Sequence, residues 1–274
     1  MPETMSHASS TSTPCTTSDA GRPDGIPGPV PGSRGTGSPT GPRRLHSRIG
    51  VGLAGGFYPA PHRYRLYLCT DCPRSLRVSI TLDLLGLGDF VATTPLTHTG
   101  DAGQVSDGFA ALRRAYEATW HHYEGPLTAP ALCDRWTGRV VSNHTPDILR
   151  DLAGLAVRTG TGLPALRPPA RAADIDALGE LLDADVVPAA APHRRSAALG
   201  RLNRRLASAP YAAGRDLTAA DVDLWVALVH LEDPDALAPY GHLRAYVRRL
   251  AAHPAFRGRT SRAGAPQPRA ARPR

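Results

Sequence analysis

The pattern of apolar residues changes character once along this chain, and that change narrows the fold more than any other feature. "RYRLYLC" (residues 63–69) alternates as a strand does. After Pro73 the apolar residues Leu76, Ile80, Leu84 and Leu87 line one helical face, and Gly86 and Gly88 end that helix. "DFVATTPL" (89–96) is a second strand. "GFAALRRAYEATW" (108–120) returns to helical spacing at Phe109, Leu112, Tyr116 and Trp120. "TAPALCD" and "RVVSN" then flank "RWTG" as two short strands around a tight turn, followed by a helix from about Pro146 to Val157. Strands alternating with helices in this order predict an α/β sheet.

Beyond residue 159 the strand signal disappears. "GTGLPALRPPARA" (160–172) reads as a linker, and everything after it is helical. Ile175, Leu178, Leu181, Leu182 and Val186 form one stripe, and Leu199, Leu202 and Leu206 another. In "DLTAADVDLWVALVHL" Thr218 precedes Asp221 by three residues, a capping-box spacing with Asp in place of Glu or Gln, and Leu217 and Val222 are placed for a hydrophobic staple. "HLRAYVRRLAAHP" makes a last helix, stopped before Pro254. The closing hairpin of the first half is the thioredoxin-like arrangement. The expected fold is therefore an α/β thioredoxin-like N-terminal domain (48–159) joined by the 160–172 linker to an all-α C-terminal domain (173–257). Residues 1–47 are rich in Ser, Thr, Pro and Gly, and residues 258–274 are basic; both segments have too little to bury and are expected to be disordered tails.

Charge excludes more than it suggests. The net charge of +8 belongs to the ends: residues 1–48 hold five arginines against three acids, and residues 255–274 hold six against none. The centre balances 21 arginines with 21 acids, and the chain has no lysine. Nucleic acid is accordingly not the expected partner. No apolar run reaches the roughly 20 residues of a membrane helix, and the N-terminus has no secretory pattern, so a cytoplasmic location is expected.

Four cysteines, Cys15, Cys69, Cys72 and Cys133, are too few for a disulfide framework in 274 residues. "LYLCTDCPRSLR" (66–77) raises three readings: a metal clip, a disulfide, or one reactive thiol. A zinc site needs a second ligand pair; Cys133 has no CxxC partner, and His121 and His122 are adjacent, so no metal is expected. A CxxC dithiol beside a βαβ pattern is the stronger signal, but its two cysteines straddle a helix start. Here the helix begins after Cys72-Pro73, which leaves Cys69 at the strand end, packed. Cys72 sits alone at the helix N-terminus, where unpaired N–H groups and the positive dipole end favour an anion, with Arg74 and Arg77 close by. The rival reading is an inert capping cysteine.

These residues resemble the glutathione transferase superfamily, and within it the xi class, the glutathionyl-hydroquinone reductases. "RYRLYLCTDCPRSLR" is similar to that family's strand and CPWAHR segment, "LLGLGDFV" to the segment that follows, and "YEGPLTAPALCDRWTGRVVSNHTPDILRDL" to its cis-proline strand and thiol-binding loop. "LTAADVDLWVALVHL" and "HLRAYVRRLAAHP" resemble its C-terminal helices, so the likeness runs in order from about residue 60 to 255. It implies that Cys72 is the nucleophile. It also implies that Leu127, Thr128, Ala129 and Pro130 form the thiol-binding turn, with a cis peptide at Pro130 and the Ala129 backbone pairing with the cysteinyl part of the thiol. His144 and Thr145 fall where the family has the Glu-Ser that holds a γ-glutamyl group; Thr145 keeps a hydroxyl, whereas His144 offers no carboxylate. Arg77 and Tyr246 are implied in supporting roles. Further departures are Arg74 for the family's Trp, Pro126 for its Arg, and His230-Leu231-Glu232 for its Arg-Phe-Asp.

The expected function is that of a thiol transferase or reductase in detoxification. Cys72 would form a mixed disulfide while a thiol conjugate, quinol-like in the family, is reduced. Glutathione or another low-molecular-weight thiol would be the co-substrate, with no tightly bound cofactor and a homodimer as the expected assembly. The alternatives are a non-catalytic binding protein of the same fold, which the His144, Pro126 and Arg74 departures favour, and a nucleic-acid-associated protein, against which the neutral centre argues.

Overall fold

The structure, a computed structural model, describes residues 44–50, 56–70, 72–97, 107–160, 165–186, 190–231 and 233–259. The expected tails before residue 44 and after residue 259, Cys15 and Glu232 lie outside the described residues.

Strand β1 (Tyr64–Cys69) is followed by α1 (Pro73–Leu84), with Pro73 in the first turn, where a missing N–H breaks no intrahelical bond. Gly86, at a positive φ of 63°, then turns the chain toward β2 (Val91–Leu96). Next come α2 (Asp107–Thr119), β3 (Ala131–Asp134), β4 (Val140–Ser142) and α3 (Thr145–Thr159). The sheet order is β2-β1-β3-β4, with β1 parallel to β2, antiparallel to β3, and β3 antiparallel to β4. This is the expected thioredoxin-like domain. The helical half has α4 (Ala172–Asp185), α5 (Pro192–Ser208), α6 (Ala219–Val229) and α7 (Gly241–Ala251).

Most of the expected stripe residues are buried, but Trp120, expected on the stripe with Phe109, Leu112 and Tyr116, lies just past the end of α2 and is exposed. Tyr64, Leu66, Val78, Leu82, Leu132, Ile148 and Leu152 pack between the sheet and α1 and α3. Trp225 of α6 is fully buried at the centre of the helical domain, its ring edge-on to Phe256 at 5.2 Å. Leu76 and Ile80 of α1 belong to that second core, so α1 is shared by both domains. The capping box forms as expected: Thr218 and Asp221 satisfy each other's backbone N–H groups at the start of α6.

Two expectations are corrected. Residues 44–47, expected in a disordered tail, lie on the domain: His46 bridges to Ser142, and Leu45 N–H donates to Asn143 Oδ1 at 2.8 Å. Next along the chain, Arg48 Nε meets Asp151 Oδ1 at 2.7 Å. Polar pairing with β4 and α3 orders this segment, and a test based on apolar content does not register it. Part of the expected linker also packs. Leu166 is buried in the α/β core, and its carbonyl accepts the Ala219 N–H at 2.7 Å. Among the described residues no helix is long and apolar enough to cross a membrane.

Candidate active site

The end of β1, the start of α1 and the turn before β3 meet at one point. Cys72 is the residue before the first turn of α1, with φ −95° and ψ 121°, and its carbonyl accepts the Leu76 N–H at 2.9 Å. Its Sγ lies 4.0 Å from Ala129 O, and the Ala129–Pro130 peptide bond is cis. Ser75 Oγ accepts the Cys69 N–H at 3.0 Å, which fixes the bend between the two cysteines. Cys69, Cys72 and Cys133 are all buried. Complete burial pushes the Cys133 thiol far above the ordinary range, and this makes it chemically quiet. Cys72 is only 8% exposed, more enclosed than its sequence position suggests.

Beside this thiol a cleft of about 980 Å³ opens between the domains. Pro73 and Thr128, neighbours of Cys72 and Ala129, line it, together with Asn143, His144 and Thr145. Of the expected site residues, Thr128, His144 and Thr145 line the cleft, whereas Cys72, Leu127, Ala129 and Pro130 are buried and are not part of its lining.

A buried polar network holds the two loops. Tyr116 OH shares a hydrogen bond with Thr128 Oγ1 at 2.8 Å, and Asn143 Nδ2 donates to both oxygens at 3.0 Å. Burial, opposed by these bonds, leaves the Tyr116 hydroxyl raised above its ordinary value, so it serves as a neutral donor. Periodicity alone gives Tyr116 no more than a place on a helical stripe. Its hydroxyl ties α2 to the cis-proline turn and, through Asn143, to Leu45.

At the start of α3, His144 is not free. Its Nδ1 lies 3.0 Å from Asp147 Oδ2, and His46 Nδ1 lies 2.8 Å from the same oxygen. Arg150 NH1 donates to Asp147 Oδ1 at 3.1 Å, and Arg48 NH1 is 3.9 Å away. Burial raises the Asp147 carboxyl, but the bonds from His46 and His144 with Arg48 behind them outweigh it and hold the group below the usual range. His46, His144 and Asp147 place three possible metal-ligand atoms within 4.8 Å. Both imidazoles, however, already donate Nδ1–H to one oxygen, and Arg150 occupies the other, so a dication would compete with two arginines. His46 and Asp147 were missed in the sequence. His46 sits in a tract dismissed on composition, whereas Asp147, one helical turn after His144, was legible from spacing.

The two supporting residues fare differently from expectation. Arg77 lines the cleft but is paired across the domain junction, its Nε 3.3 Å from Asp223 Oδ1 of α6. Tyr246 is not a cleft residue: it is 1% exposed in the helical core, and its OH donates to Asp221 Oδ1 at 2.8 Å. The buried capping carboxylate takes the hydroxyl that a substrate would need.

Known proteins share features with this chain in both halves. Residues 190–257 match the family described as glutathione S-transferase, C-terminal domain. Glutathionyl-hydroquinone reductase YqjG of Escherichia coli is 28% identical over 205 residues, which covers 65% of this chain and 62% of that protein. The chain resembles the xi class of the glutathione transferase superfamily. Glutathionyl-hydroquinone reductase PcpF of Sphingobium chlorophenolicum is 28% identical over 238 residues, covering 77% of this chain and 74% of its own. Among solved structures, a xi glutathione transferase from Phanerochaete chrysosporium has a TM-score of 0.65 at 24% identity, covering 81% of this chain and 88% of its own. A glutathione transferase from Gordonia bronchialis has a TM-score of 0.63 at 28% identity, covering 78% of each chain. The match to the E. coli reductase thus spans less than two thirds of that protein's length.

Proposed function

We propose that the protein is a thiol transferase and reductase acting on conjugates of a low-molecular-weight thiol, with Cys72 as nucleophile. The observation that carries this reading is the placement of Cys72 at the N-terminal end of α1, against the Ala129–Pro130 turn and beside an inter-domain cleft. The E. coli and S. chlorophenolicum relatives, both named glutathionyl-hydroquinone reductases, support it.

In the first step Cys72 Sγ attacks the sulfur of an aryl thioether of quinol type. A Cys72–S–S–thiol bond forms, the carbon–sulfur bond breaks, and its electron pair stays on the carbon, which takes up a proton to leave the free quinol. A second thiol molecule then attacks the mixed disulfide, releasing Cys72 and the thiol's own disulfide. The thiol backbone would pair with Ala129, held in place by the Thr128–Tyr116–Asn143 network. No metal or tightly bound cofactor takes part in this chemistry.

The enclosure of Cys72 and the engagement of Asp147 favour one rival, a binding protein of this fold without turnover. Turnover of an aryl thioether of glutathione by the full chain and by Cys72→Ser separates the two. Cys72-dependent release of quinol is expected, and rates for both proteins no faster than without protein would leave the binding reading.

A further inference from the structure

The charged residues of the cleft are sorted by wall. From the thioredoxin-like side come Arg44, Arg74, Arg77, His144 and Arg150, and no carboxylate; the one further cation of the lining, Arg167, is on the far side and is paired with Asp176. The acids that line it, Asp176, Glu180, Asp183 and Asp223, belong to α4 and α6 on the far side. The thiol-binding residues Thr128, His144 and Thr145 lie on the basic wall.

Asp147, beside His144 at the start of α3, is already engaged by three side chains and neutralised by arginines. His46 and His144 both bond to Oδ2, Arg150 bonds to Oδ1, and Arg48 stands behind. An incoming ammonium would have to displace one of these partners while facing Arg44 and Arg150, which have the same sign. A carboxylate there meets two guanidinium groups and the Thr145 hydroxyl, all of them donors.

We infer that the thiol bound on this wall is anchored through an anionic group and carries no free ammonium beside it. The class is a cysteine-containing thiol with a carboxylate and a blocked or missing amine. This rests on the reading of the cleft as a thiol site and adds the charge that the site selects.

Calorimetry on the full chain with two probes tests the inference: glutathione, and its desamino analogue glutaryl-cysteinylglycine, which differs only in lacking the ammonium. The analogue should bind at least as tightly as glutathione. Arg44→Ala should weaken the analogue about three- to tenfold, the range for one lost charge-assisted hydrogen bond at a partly exposed site. His144→Glu should turn the preference toward glutathione by about tenfold. The comparison on the unmodified protein needs no variant to fold. A tenfold preference of the unmodified protein for glutathione, an Arg44→Ala protein that binds as before, or no binding of either probe would overturn the inference. Loss of Cys72-dependent turnover with the probe preference intact would instead overturn the proposed reaction and leave this selectivity standing.

Discussion

The two walls of the cleft carry opposite signs for different structural reasons. On the thioredoxin-like side the acids are consumed internally: Asp147 by His46, His144 and Arg150, and Asp151 by Arg48. What remains to face the cleft is cationic. On the helical side, Asp176, Glu180 and Asp183 recur every three to four residues and so share one face of α4. Two of the four acids on that side are paired, Asp176 with Arg167 and Asp223 with Arg77, and the second of these pairs crosses between the walls. A central region with as many arginines as acids can therefore still hold a polarised site. The sum of charges describes the surface, and their placement describes the ligand.

The largest effect expected from perturbing this arrangement is chemical and confined to the basic wall. Cys72→Ser should lower turnover by about a thousandfold or more, the scale for loss of a covalent nucleophile, with thiol binding and melting temperature little changed. Glu180→Gln on the acidic wall should alter KM for the conjugate and leave the rate of Cys72 alkylation unchanged. Equal alkylation losses from both variants would mean that the walls do not divide the work.

A smaller effect concerns what holds the basic wall together. Asp147 is held below the ordinary carboxylate range, so its contribution to stability is present above about pH 4 and is lost as pH falls through its lower folded value. Asp147→Asn should destabilise the protein by about 1–3 kcal/mol at neutral pH and flatten the acid limb of the stability curve. An acid limb that keeps its shape in the variant would show that the cluster is not holding the segment. The smallest effect is expected at the pair that joins the walls. Arg77 and Asp223 are 21% and 22% exposed, so a double-mutant cycle should give a coupling below about 1 kcal/mol that shrinks with salt.

Much of this molecule was legible in its sequence, because periodicity and capping act over short distances. β1 and α1, the hairpin of β3 and β4, and the Thr218–Asp221 box all follow from residues within a few positions of one another. Cys72 and the turn at Pro130 were legible through resemblance. What escaped depends on groups far apart in the chain: His46 reaches Asp147 across 101 positions and Leu45 reaches Asn143 across 98. Composition described residues 44–47 as tail because it weighs apolar area, whereas hydrogen bonds fasten them. Tyr246 was misplaced for a related reason. Its supporting role came from the resemblance alone, and only the fold reveals that Asp221 claims the hydroxyl.

The central claim, that Cys72 is the attacking thiol, is tested most directly by trapping its mixed disulfide. The full chain, Cys69→Ser and Cys72→Ser should each be incubated with an aryl thioether of glutathione, quenched with acid and weighed by mass spectrometry. The account predicts one thiol adduct on the full chain and on Cys69→Ser, removed by added thiol, and none on Cys72→Ser. An adduct that persists in Cys72→Ser, or that disappears in Cys69→Ser, would contradict it.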